Sequence, residues 1–193
     1  MIEISQFPLV RPARLCETAR SESCIGSAKI IKRELFKDSR GSFEEVWDSG
    51  IFHSAMISFA PISSCFSHSG KKGTLRGMHY QAKPNEQAKL ISCLSGSIFD
   101  VIVDIRPESP TFRYWGSVEL SAQTGISVYI PAGFAHGFMT LSNDVLVSYL
   151  IEGPYIPEFG RAFRWDDDSI GIQWPALDPI LSDRDLSASK LIL

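Results

Sequence analysis

Between Lys89 and Ile151 the chain is a succession of short β-favouring runs, each closed by serine, glycine, proline or asparagine. The runs are Lys89–Leu94, Ile98–Asp104, Gly116–Leu120, Ile126–Ile130, Phe138–Leu141 and Val145–Ile151. Apolar residues recur with the period of strands, and few stretches carry a helical period. Strands this short and this close cannot each be followed by a crossover helix, so the chain is expected to be all-β, a sandwich or barrel. Alternation puts Asp100, Ile102 and Asp104 on one strand face, and Val145, Val147 and Tyr149 on another.

The flanks are less regular. Residues 1–27 are mixed and read as an N-terminal extension, leaving residues 28–193 as one domain. Ala28–Phe36 contains an apolar run fit for a strand, Asp38-Ser39-Arg40-Gly41 is a turn, and Ser42–Trp47 reads as a further strand. Ser63–Gly73, rich in serine, glycine and lysine, reads as a loop. Pro154, Pro157 and Gly160 interrupt the strand pattern, and the end of the chain reads as a wrapped tail with a short helix.

With 193 residues, 44% of them hydrophobic, the chain can bury one core. A net charge of −3 argues against a nucleic-acid partner. No apolar stretch suits a membrane span, and Met1–Gln6 lacks the basic-then-apolar order of a secretory signal. Cys16, Cys24, Cys65 and Cys93 form no Cys-x-x-Cys pair, so reduced thiols in a cytoplasmic protein are expected.

Chemistry enters at Gly73-Thr74-Leu75-Arg76-Gly77-Met78-His79-Tyr80-Gln81. Arg76 and His79 can share a strand face only if the backbone bends between them, and Gly77 permits a bend. A fixed cation beside a group that titrates near neutrality suits proton chemistry on an anionic substrate.

The segments Gly73-x5-His79-x-Gln81 and Gly125-x5-Pro131-x-Gly133-x2-His136 resemble the two motifs of the cupin superfamily of jelly-roll barrels. Gln81 stands where metal-binding cupins carry a second His, and the usual Glu has no counterpart, so no catalytic metal is expected. The resemblance narrows further. Leu75–Gln81, Ser109–Phe112, Ile130–Phe138, Arg164–Asp167, Ile170–Pro175 and Leu181–Asp185 resemble, in order and near-constant spacing, the blocks of the dTDP-4-dehydrorhamnose 3,5-epimerase family.

That resemblance implies a cupin jelly roll acting as a cofactor-independent isomerase. Its substrate would be a nucleotide-linked 4-keto-6-deoxy sugar, and a homodimer is implied. The ketone of such a sugar acidifies the neighbouring C–H bonds, so the protein need supply only a base, an acid on the opposite side and a positive charge at the enolate oxygen. His79 matches the family's base, Asp185 the carboxylate behind it, Tyr149 the acid and Lys89 the cation near the carbonyl oxygen. Arg76, His136 and Arg184 match substrate-binding positions, as do Phe36, Arg40 and Glu45, the last three partly across a dimer interface. Each has a plainer reading: His79 as a satisfied core imidazole, Asp185 and Lys89 as solvated charges, Tyr149 as a barrel-lining aromatic, His136 as structural, and Arg40 as part of an ordinary turn.

The chain departs from the family at recognisable places. Ser64-Cys65-Phe66 stands where a Gln-x-Asn segment is usual, Leu150 replaces a Lys, Gly160 replaces a Glu, and Arg184 stands where Lys is common. All but the last, a mild change, concern substrate reading rather than proton transfer. A single-centre epimerase on a variant sugar, a metal-dependent cupin and a non-catalytic sugar-nucleotide binder are the competing readings.

Overall fold

The computed structural model describes residues 2–7 and 28–192. Its elements are β1 (Glu3–Gln6), β2 (Lys29–Lys32), β3 (Phe36–Asp38), β4 (Gly41–Phe43), α1 (Ser49–Ser54), β5 (Ser63–Ser69), β6 (Leu75–Gln81) and β7 (Ala88–Ser95). They continue with β8 (Ser97–Asp104), β9 (Trp115–Ser121), β10 (Ile126–Ile130), β11 (Phe134–Thr140) and β12 (Val145–Glu152). A single 3-10 turn at Pro157–Phe159, β13 (Gly160–Ala162) and α2 (Asp183–Leu186) follow. One sheet has the order β1-β2-β10-β7-β12-β5, the other β13-β6-β11-β8-β9, and β3 and β4 form a separate hairpin. The pairings are antiparallel. This is the all-β, two-sheet architecture that the strand spacing demands.

Three apolar layers explain why several strands read as continuous apolar runs rather than as strict alternation. Between the sheets lie Ile91, Ile98, Ile102, Val128, Phe134, Phe138, Val145 and Val147. The alternate residues of the same strands face outward into cover. Val101, Val103, Ala135 and Met139 pack beneath Phe163, Ile170, Trp174 and Leu191 of the tail. Leu90 and Tyr129 pack beneath Phe52, Ile57 and Phe59. Both faces of each sheet are therefore buried over part of their area, and each fully buried Leu, Ile or Phe contributes about 1.5–3 kcal/mol.

Four readings of the sequence change, the first being that the strand expected at Phe138–Leu141 starts four residues earlier, at Phe134. Ser63–Ser69 is not a loop but strand β5, paired with β12 from Val145↔Ser69 to Ile151↔Ser63. Its serines have low β preference, and the pairing with a strong distant strand overrides it. The strand expected at Ser42–Trp47 ends at Phe43. Beyond it Glu44 turns to Arg33, at 3.2 Å, and Asp48 caps α1 by accepting from Ile51 N at 2.7 Å. Residues 3–6, inside the expected extension, form β1 and pair with β2; residues 8–27, with Cys16 and Cys24, lie outside the described residues.

The tail is fastened along its length. Leu75 N donates to Ile180 O at 2.9 Å and Ile180 N to Gly73 O at 2.8 Å. Trp174 Nε1 donates to Trp165 O at 2.7 Å, and Leu191 N donates to the buried Asp167 carboxylate at 2.7 Å. These bonds bring α2 to the open end of the barrel, beside β6.

Candidate active site

A cavity of about 470 Å³ opens between the two sheets. The five-stranded sheet contributes Arg76, His79 and His136 to its wall, the six-stranded sheet contributes Lys89 and Tyr149, and the tail contributes Arg184 and Asp185. Seven of the ten candidate site residues thus meet in one place.

Arg76 and His79 do share a face. Opposite them on β11, His136 pairs with His79 and Phe138 with Arg76, so β6 carries one residue more than β11 between the two pairs. That is a bulge, and Gly77 with φ +145° occupies it. A β carbon at Gly77 would come within 2.6 Å of Gly137 Cα, so both the backbone angle and the close strand approach require glycine. Arg76 is held to β5, donating from Nε to Ser69 Oγ at 3.1 Å and from Nη2 to His68 O at 3.0 Å.

His79 Nε2 lies 2.5 Å from Asp185 Oδ1. The imidazole is partly open to the cavity while the carboxylate is buried. Ser182 caps α2 by accepting from Asp185 N at 3.2 Å, which fixes the carboxylate's direction. Burial alone would raise the Asp185 pKa. The hydrogen bond and charge of His79, with bonds from Ser182 and the Gly77 backbone, outweigh it and hold the carboxyl below its ordinary value.

His136 makes a parallel arrangement deeper in the barrel, with Nε2 2.7 Å from Asp100 Oδ1 and both groups buried. Burial pushes the Asp100 pKa up against the opposing pull of His136. Tyr149 stands edge-on to His136, ring centroids 6.1 Å apart. Burial, then the Asp100 charge, raise the Tyr149 pKa well above that of a free phenol, so the hydroxyl keeps its proton at neutral pH. Burial drives the Lys89 pKa down to about 8. Lys89 has no hydrogen bond or ion pair with another side chain among the described residues, and it faces the cavity as an uncommitted cation.

Gln81, in place of a second cupin histidine, accepts from Ile156 N at 2.8 Å and donates to Asn85 O and Pro154 O, each at 2.9 Å. Its amide pins the cavity lip that carries Tyr155. Among the described residues no group of three or more His, Cys, Asp and Glu side chains gathers as a metal-ligand set.

Phe36, Arg40 and Glu45 lie elsewhere. Phe36 and Arg40 line a separate cavity of about 390 Å³ on the β3–β4 hairpin, where Arg40 Nη2 bonds Asp38 Oδ2 at 2.6 Å. Glu45 is exposed and lines neither cavity. The departures also fall into place. On β5 it is Cys65 and Ser67 that face the cavity, whereas Phe66 is exposed. Leu150 packs on the outer apolar layer and does not line the cavity.

Cavity residues the sequence reading missed are Cys65, Ser67, Gln87, Tyr155 and Arg161. Alternation along β5 would have found Cys65 and Ser67, had that segment been read as a strand. Tyr155 and Arg161 sit in the Pro- and Gly-broken stretch, which has no period to read.

Comparison with known proteins agrees with this fold. The family model described as dTDP-4-dehydrorhamnose 3,5-epimerase matches residues 22–192. The dTDP-4-dehydrorhamnose 3,5-epimerase of Sinorhizobium fredii is 42% identical over 168 residues, 86% of each chain. The crystal structure of the Bacillus anthracis enzyme of that name, with TDP and PPi bound, superposes with a TM-score of 0.83 at 38% identity, covering 85% of this chain and 94% of that one. ChmJ of Streptomyces bikiniensis, a 3'-monoepimerase in complex with dTDP-quinovose, superposes with a TM-score of 0.80 at 34% identity, covering 86% and 84%. A cupin-type jelly roll with this cavity, matched over nearly its whole described length, places the chain in the dTDP-4-dehydrorhamnose 3,5-epimerase family.

Proposed function

We propose that this protein epimerises a nucleotide-activated 4-keto-6-deoxy sugar without a cofactor. The observation that carries the reading is the pairing of a carboxylate-backed imidazole on one sheet with a half-buried, protonated phenol on the other, across one cavity. His79 removes the proton from the carbon beside the ketone. The C–H electron pair moves into the enolate, whose oxygen Lys89 stabilises. Asp185 holds the imidazole's orientation and offsets its charge once protonated. Tyr149 then delivers its proton to the same carbon from the opposite side, inverting the centre. The sugar's own carbonyl is the electron sink, so the balance requires no redox partner.

Arg76, His136 and Arg184 are the groups proposed to hold the sugar diphosphate, with guanidinium forks suited to phosphate oxygens. The β3–β4 hairpin, with Phe36 56% and Phe43 72% exposed, is proposed to serve the cavity of a second copy in a homodimer, where Arg40 and Glu45 would meet the nucleotide. Free Cys65 and Cys93 agree with a proposed cytoplasmic setting.

The test is NMR of deuterium incorporation from D2O into dTDP-4-keto-6-deoxyglucose. Deuterium is expected at carbons 3 and 5 with the wild type and at neither with His79→Asn. Undiminished exchange in that variant sinks the assignment, and incorporation at one carbon alone identifies a single-centre enzyme of the ChmJ kind.

A further inference from the structure

Tyr149 is a difficult acid to use. Its proton is tightly held, and the phenolate left behind would be buried beside the Asp100 carboxylate. Arg76 and Ser67 are the neighbours that favour the phenolate, and Arg76 already spends Nε and Nη2 on β5. Ser67 is free for the task. It lies on β5 across from Val147, two positions along from the Tyr149↔Cys65 pair, so it stands on the same face as the phenol and lines the same cavity. Its Oγ is buried and falls short of full hydrogen-bond geometry with any partner among the described residues, yet it lies near enough to the phenol to favour the phenolate. Buried hydroxyls are normally paired, and one left open beside a group that changes charge is poised for the changed state.

We propose that Ser67 is a positioning residue for the acid, its hydroxyl turning to donate a hydrogen bond to Tyr149 Oη as the phenol becomes a phenolate. In this step the Tyr149 O–H bond breaks, its electron pair stays on Oη, and the proton forms the new C–H bond with the enolate's electron pair. Ser67 keeps its own proton throughout. The next turnover begins when solvent returns a proton to Tyr149 and the Ser67 bond relaxes. The inference rests on Tyr149 being the acid.

The experiment compares Ser67→Ala, Ser67→Thr and Tyr149→Phe in D2O with dTDP-4-keto-6-deoxyglucose, reading two rates. One is inversion; the other is deuterium exchange into uninverted substrate, which needs only the base side. Hydrogen bonds to charged groups predict that Ser67→Ala slows inversion roughly tenfold or more. Exchange should stay within about twofold, the ratio of exchange to inversion should rise, and Ser67→Thr should restore inversion. Unchanged inversion in Ser67→Ala, or exchange and inversion falling together, overturns the role of Ser67. Tyr149→Phe separates the two failures. If it abolishes inversion while Ser67→Ala is silent, only the Ser67 inference falls; if it leaves inversion intact, the acid assignment falls with it.

Discussion

His79 Nε2 and Asp185 Oδ1 meet at 2.5 Å although 106 positions separate them along the chain. One residue belongs to a barrel strand and the other to a four-residue helix of the tail. The base side of the cavity is therefore a joint between two parts of the fold.

Removing the charge of that joint without its shape is the direct probe. Asp185→Asn is expected to lower kcat by about 10²–10⁴, the usual scale of general-base help. It should also alter acid stability. The Asp185 carboxyl titrates lower in the folded protein than unfolded, so its stabilisation is present above the unfolded value of about 4 and fades as pH falls through the folded one. Urea titrations between pH 5 and pH 2 should show the wild type losing more stability than the variant.

Lys89 is held in the folded state at a cost in stability. Its pKa is lowered from 10.5 to about 8, so the folded state disfavours the charged form. The cost is present at pH 7 and disappears as pH rises from about 8 to about 10.5. Lys89→Met should gain on the order of 2–3 kcal/mol at pH 7 by chemical denaturation, with the gain vanishing near pH 11. The same variant should lose about 10²–10³ in kcat, as for the removal of an oxyanion donor.

The Asp100–His136 pair predicts a non-additive double mutant. His136→Ala leaves a buried carboxylate without its partner and should cost about 3–5 kcal/mol. Asp100→Ala combined with His136→Ala removes both partners and should cost less than the sum of the two single changes. Additive losses in a thermal-denaturation cycle would mean the pair is uncoupled.

Gly77→Ala tests the bulge. The added carbon would meet Gly137 Cα at 2.6 Å in a backbone conformation that L-residues avoid. Both strands must shift, displacing Arg76 and His79 together. Expected outcomes are a loss of more than about 2 kcal/mol in stability and a collapse of activity even at temperatures where the variant is folded.

The strands that pack on both faces were legible because their apolar runs are dense; β7, β8, β10 and β12 could be drawn from the sequence within a residue or two. β5 was not, because an edge strand of serines carries no hydrophobic signal and owes its place to β12. His79 and Tyr149 stood in motifs, and the bend at Gly77 could be argued from the Arg76 and His79 spacing alone. The facing of Cys65 and Ser67 could not, since one-residue register decides which side chains enter the cavity. Nor could Tyr155, whose position depends on a buried Gln81 amide holding the lip from a distant strand.

The order of α2 after the barrel strands has a bearing on synthesis. A chain made from its amino end presents β6, with His79, well before α2, with Asp185. The imidazole therefore waits for its carboxylate partner until the end of the chain has docked on β6. The last helix to be made thus completes the His79–Asp185 contact.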